Sequence, residues 1–156
     1  VISQSIQQRD DFWKVRESIP EANHRTGAIS SSDLSVPISR IPEFISRAEQ
    51  RLSEIGEFRI NCFGHVGDGN IHYNVFPLPG ESRSDRDHDR KKVKKILYDI
   101  VSNMDGSFSA EHGIGRLKTN ELSLYSDPTK IELMKSIKVA LDPKGIMNPG
   151  VILRTE

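Results

Sequence analysis

The stretch FRINCFGHVGDGNIHYNVF, Phe58 to Phe76, reads as two strands joined by a glycine-rich turn, and the rest of the chain arranges itself around this hairpin. In the second strand Ile71, Tyr73 and Val75 fall on one side while Asn70, His72 and Asn74 fall on the other, because successive side chains in a strand alternate. In the first strand Phe58, Ile60 and Cys62 oppose Arg59, Asn61 and Phe63, with His65 continuing the polar register. One face of the hairpin is therefore apolar, and the other collects Asn61, His65, His72 and Asn74.

Helical and extended patterns alternate on either side. The opening segment has helical periodicity through Ile19, where Pro20 is expected to stop it. Ala28 to Val36 reads as a strand ended by Pro37. Ile41 to Ile55 is an amphipathic helix with Pro42 at its start and Ile45, Ala48, Leu52 and Ile55 on one face. After the polar loop ESRSDRDHD, a second amphipathic helix runs to Met104 on the stripe Val93, Ile96, Leu97, Ile100 and Val101. Ser107 to Ala110 reads as a short strand. Asp127-Pro128 then opens a last helix with Ile131, Met134, Ile137 and Leu141 as its stripe.

The central order of strand, helix, strand, strand, helix, strand is that of a ferredoxin-like split βαβ unit. The expected fold class is α+β: an antiparallel sheet with helices packed on one face, followed by C-terminal helices. Its other face should then be open, with Glu111 and His112 just past the fourth strand beside the polar cluster.

Composition limits the functions on offer. At 156 residues the chain suits one domain, and its 22 basic and 22 acidic residues cancel, so no global field favours nucleic acid or an anionic membrane. The run Arg90 to Lys95 is the solvated face of a helix. No stretch reaches the roughly 20 apolar residues needed to span a bilayer, and no signal peptide is visible, which reads as a soluble, cytoplasmic protein. Cys62 is the only cysteine; an internal disulfide and a cysteine-based zinc cluster are excluded, and its register predicts a buried, inert thiol. His24 and His88 match no motif and read as surface residues.

His65, His72 and Glu111 are donors that first-row divalent metals accept, and three such ligands leave coordination positions open for a substrate. The same residues also fit a purely structural hairpin, in which Gly67 and Gly69 serve the turn and the histidines are ordinary strand residues.

Four motifs in order, DLSVP (Asp33 to Pro37), GHVGDGNIH (Gly64 to His72), EHGIG (Glu111 to Gly115) and LDPKGIMNPG (Leu141 to Gly150), resemble the C-terminal domain of FAD-linked oxidases of the D-lactate, glycolate and D-2-hydroxyglutarate dehydrogenase type. The resemblance implies that His65, His72 and Glu111 bind a divalent metal, zinc before manganese. It implies further that Arg16 and Asn74 contact a small 2-hydroxy acid, that His112 is the catalytic base, and that the Asn148 turn approaches the flavin. It places most of the FAD site on an upstream domain, so the segment alone is expected to be inactive. The electron acceptor is not legible, and a homodimer is compatible with the reading. Hydroxyglutarate-type relatives carry a lysine two residues before the Asp of the first motif, where this chain has Ser31, whereas Asn74 and the Arg16-Glu17 pair look like that same type. The substrate signals therefore conflict. A mononuclear iron oxygenase and a non-enzymatic metal- or ligand-binding module are the competing classes; the first predicts a double-stranded β-helix.

Overall fold

The computed structural model describes residues 2–154. Three strands, β1 (Ser30–Ser35), β2 (Arg59–Phe63) and β3 (Asn70–Phe76), form an antiparallel sheet in the order β1-β3-β2, with helix α2 (Ile41–Ser53) crossing between β1 and β2. Helix α3 (Arg90–Ser102) follows the hairpin, and α4 (Thr119–Tyr125) and α5 (Pro128–Leu141) complete the chain after α1 (Ile6–Thr26) has opened it. This is the expected α+β arrangement, and it is not a double-stranded β-helix.

The expected strand Ser107 to Ala110 is reduced to one bridge, Ser35 to Ser107, on the outer side of β1. That position is the one a fourth ferredoxin-like strand would hold. Its ladder stops because the backbone at Glu111 and His112 turns inward to hydrogen-bond a carboxylate of β1 instead.

Burial follows the alternation of the strands. Leu34, Ile71, Tyr73 and Val75 share the sheet face that packs on Phe44, Ala48 and Leu52 of α2 and on Val93, Leu97 and Val101 of α3, with Tyr73 meeting Phe44 edge-on at 5.7 Å between ring centroids. In α2 the buried positions are Phe44, Ala48 and Leu52; Ile45 and Ile55, expected on that face, are only partly covered. Helix α4, which has no long periodic signal, adds Leu122 to the core and ties Tyr125 Oη to Asp99 at 2.7 Å. Of the α5 stripe only Ile131 and Met134 pack on the core, while Ile137 and Leu141 are exposed.

Three further expectations are corrected. Helix α1 continues through Pro20 to Thr26, capped by Ser5 Oγ at its start and by left-handed Gly27 at its end. Proline removes one helical donor to the carbonyl four residues back, and on an exposed helix water can serve that carbonyl. The polar sheet face is not open, because α1 lies along it: Asn23 donates to Asn61 at 3.2 Å, and the Arg16 guanidinium sits 5.6 Å from the Phe63 ring. Cys62 is exposed on edge strand β2 rather than buried. Even so, the crowding of its sulfur and the nearby Glu49 carboxylate push the thiol up to about 11, so it is protonated and a poor nucleophile at neutral pH.

The core predicts a clear contrast in stability. Leu97 is fully buried and Leu133 is 61% exposed. Leu97→Ala should lower the unfolding free energy by about 2–5 kcal/mol in urea titrations, whereas Leu133→Ala should stay within about 0.5 kcal/mol. Equal effects would contradict the assigned core.

Candidate functional site

Register builds the site in two cross-strand rows. On the polar face Asp33 of β1 pairs with His72 of β3, which pairs with Phe63 of β2; one step along, Ser31 pairs with Asn74 and Asn74 with Asn61. The turn between β2 and β3 is a single 3-10 turn, Val66–Asp68, closed by Gly69 in the left-handed region at φ 71°. A side chain on Gly69 would collide with the Val36 carbonyl oxygen. This close fit sets His65 at the mouth of the turn, and Asn70 Oδ1 accepts the His65 N–H at 3.3 Å.

Asp33 gathers the site. Its Oδ2 accepts the backbone N–H groups of Glu111 at 2.8 Å and His112 at 2.9 Å, and its Oδ1 accepts from Asn70 Nδ2 at 2.9 Å. The His72 and His112 rings each bring Nδ1 to 3.9 Å from the same carboxylate. The loop that carries Glu111 and His112 is closed by Ser109 Oγ, which donates to the Gly113 carbonyl at 2.7 Å, and by Lys118 Nζ, which donates to Phe108 O and Ser109 Oγ.

The expected metal ligands converge. Glu111 lies 3.3 Å from His65 Nε2 through one oxygen and 3.5 Å from His72 Nε2 through the other, and one donor atom from each of the three falls within 4.8 Å of the others. Ligands about 2.0–2.2 Å from a common ion are at most about 4.4 Å apart, so closing on one requires side-chain shifts of well under an ångström. Burial drives the His72 imidazole below its ordinary value more strongly than Asp33 and Glu111 raise it, with His112 and His65 adding to the depression. A neutral ring keeps a lone pair for a metal. Burial alone would raise the Asp33 carboxyl. The two backbone N–H groups, the His112 ring and the Asn70 amide outweigh it and hold the group below the ordinary carboxylate value.

These residues line one cavity of about 510 Å³, shared by Arg16, His65, His72, Asn74, Glu111 and His112. Arg16 is half-buried there, and His112 is exposed with its ring 5.8 Å from that of His72. Asn74 is buried, with Oδ1 bonded to the Ser31 hydroxyl at 2.6 Å and Nδ2 directed to the carbonyls of Asn61 and His72. Asn148 is not among the lining residues. It borders a separate apolar groove beside α5 and connects with the site loop through Ile152 N–H to Gly115 O at 2.8 Å. Asp33 enters the sequence reading only as a member of the first motif, although its place opposite the apolar Leu34 and Val36 points it to the polar face; His24, exposed as expected, and Arg83 also line the cavity and belong to no motif.

The carboxylate network makes a pH-dependent prediction. A group whose folded pKa lies below its unfolded value stabilises the fold fully above the unfolded value, near 3.9 for Asp, and loses that contribution as pH falls through the folded one. Asp33→Asn should therefore cost about 1–3 kcal/mol at pH 7 by leaving N–H groups poorly matched. The gap to wild type should narrow below about pH 4. Urea titrations at pH 7 and pH 3 check both; a gap that widens in acid would refute the network's sign.

The family model described as FAD linked oxidases, C-terminal domain, matches residues 1–152. D-2-hydroxyglutarate dehydrogenase, mitochondrial, of Arabidopsis thaliana is 38% identical over 153 residues, covering 98% of this chain and 26% of that protein. The D-2-hydroxyglutarate dehydrogenases of Stutzerimonas stutzeri (strain A1501), 38% identical over 97% of this chain, and of Xanthomonas citri pv. viticola, 39% identical over 99% of it, are each covered to 33% of their length. The chain thus spans about a quarter to a third of the relatives it matches. Among the described residues no helix is long and apolar enough to cross a membrane. With a family match over almost every residue, the chain belongs to the FAD-linked oxidase C-terminal domain family.

Proposed function

We propose that this chain is the substrate- and metal-binding part of an FAD-dependent dehydrogenase that removes hydride from C2 of a D-2-hydroxy acid. The observation that carries the reading is the convergence of His65, His72 and Glu111 on a cavity that also holds Arg16 and His112. The family and the named activity of the relatives support it.

Two imidazoles and a carboxylate suit zinc, with manganese the second choice. When bound by His65, His72 and Glu111, a divalent ion supplies Lewis-acid polarisation of the substrate hydroxyl. FAD, held chiefly by sequence outside these 156 residues and approached by the Asn148 turn, supplies the hydride acceptor. The Arg16 fork, steadied over Phe63, receives a substrate carboxylate, because a guanidinium is planar, permanently charged and offers paired donors. Asn74 forms the floor under the substrate, held rigid by Ser31 and the neighbouring strand carbonyls.

His112 moves the proton. Its Nδ1 faces Asp33, leaving Nε2 to accept the proton of the 2-hydroxyl as hydride leaves C2, and the Asp33 carboxylate stabilises the imidazolium that results. Asp33 also fixes the backbone of both Glu111 and His112, so the ligand and the base are positioned by one group.

Neighbouring residues 111 and 112 should separate cleanly on substitution in the full-length flavoprotein. Elemental analysis after zinc titration should find the metal retained in wild type and His112→Asn and lost in His72→Ala and Glu111→Gln. Stopped-flow bleaching of the flavin by a D-2-hydroxy acid should slow by about 10²- to 10⁴-fold in His112→Asn. Equal zinc content in wild type and His72→Ala refutes the ligand set, and wild-type bleaching in His112→Asn refutes the base.

A further inference from the structure

The cavity continues well past the histidine cluster. From the row that holds Asp33 and His72, the row of Ser31 and Asn74 lies two residues further along the strands, about 7 Å away. Beyond it the lining passes to Ala28, Gly27 and His24 at the end of α1 and to Arg83 from the loop after β3. A three-carbon hydroxy acid held at the histidine end would leave this remote end to water.

Arg83 is arranged differently from the charged residues around it. Its loop is rich in acids, yet each engaged carboxylate is directed elsewhere: Glu81 and Asp89 lie 3.7 Å and 2.8 Å from Arg86, and Asp85 accepts from Ser82. Arg86 is itself held over the Phe58 ring, 4.6 Å from its centroid. Among the described residues the Arg83 guanidinium has no ion pair and no hydrogen bond. The loop comes close to the end of α1, since a Cβ placed on Gly27 would lie 4.0 Å from that of Arg83. Arg16, on the same cavity, likewise has no acidic partner among the described residues. Two unpaired guanidiniums spaced along one cavity suit an anion at each of two positions.

We propose that Arg83 is a specificity-determining residue: it binds a second anionic group, carboxylate or phosphate, at the end of the substrate remote from the 2-hydroxyl, with His24 beside it. The proposal rests on the 2-hydroxyacid reading above, in which Arg16 takes the first carboxylate. It assigns to a loop residue outside every motif the role of cation for the distal group, at the end of the cavity where Ser31 offers only a hydroxyl.

The test uses the full-length flavoprotein with D-lactate, D-malate, D-2-hydroxyglutarate and D-glycerate 3-phosphate, which differ in the presence, distance and type of the distal anion. Wild type should favour at least one dianionic acid over D-lactate. Arg83→Met should lower kcat/KM for that acid by about 10- to 100-fold more than for D-lactate. The loss should fall mainly in KM, and Arg83→Lys should recover part of it. The arms separate the sources, since preference for the phosphate or for either dicarboxylate names the group. Equal losses for D-lactate and the dianions, or none for either, overturn the assignment while leaving the dehydrogenase reading intact. If none of the acids bleaches the flavin, the dehydrogenase reading fails instead. Arg83 is then judged by titrating 2-oxoglutarate against pyruvate into wild type and Arg83→Met, with the flavin absorbance spectrum as readout. Dianion affinity that is the same in both proteins overturns the proposal there too, and weaker binding in the variant supports it.

Discussion

The Asp33 carboxylate is the contact on which the site depends. It is 5% exposed, and a buried charge is costly unless hydrogen bonds replace its water. Three N–H donors do so, two from the backbone of residues 111 and 112 and one from Asn70, so the group stays ionised. Those bonds join segments 78 and 79 residues apart in sequence, and Asn70 extends the network to the His65 turn. One acid thereby fixes the start of the hairpin turn and the loop that presents Glu111 and His112, with the His72 ring beside it.

The sequence made legible whatever repeats with a period. The β2 turn β3 hairpin, the stripe of α3 and the polar register of His65 and His72 follow from alternation or helical spacing, and the α2 stripe does so in part, with Phe44 taking the buried place expected for Ile45. Features decided by a single contact were not legible. Ser107 to Ala110 has the composition of a strand, but the pull of Asp33 on the next two amides ends its ladder after one bridge. Pro20 resembles a helix stop, yet Ser5 and Gly27 cap a helix that runs straight past it. The role of Asp33 was hidden because its parity opposite Leu34 and Val36 points it to the polar face without naming its partners, which lie far along the chain. Arg83 was hidden because its loop has no pattern at all.

The electrostatics of the cavity are divided along its length. At one end two carboxylates, Asp33 and Glu111, surround imidazoles, of which His72 is pushed toward the neutral form by burial. That end attracts a cation and offers it lone pairs. Arg16 stands beside the His72 row over Phe63, and His24 and Arg83 stand toward the other end; neither arginine has an acidic partner among the described residues. Such a division suits a ligand set that is itself divided, a metal ion at one end and the anionic groups of a substrate toward the other.

Rigidity is graded along the same axis. His72 and Asp33 stand on paired central strands over a packed core, so their geometry is set by the whole sheet. Arg16 stands on α1, which buries no residue fully and leaves Phe12, Trp13 and Val15 exposed; the Asn23 to Asn61 bond and the Phe63 stack are side-chain ties that hold this helix over the site. Arg83 stands on a loop tied through Arg86 to Asp89 and the Phe58 ring. Groups that polarise bonds and move protons need placement to a fraction of an ångström, and they lie on the stiff sheet end. Groups that receive a carboxylate or phosphate act through long flexible arms and tolerate more freedom, so they are found where the packing is loosest.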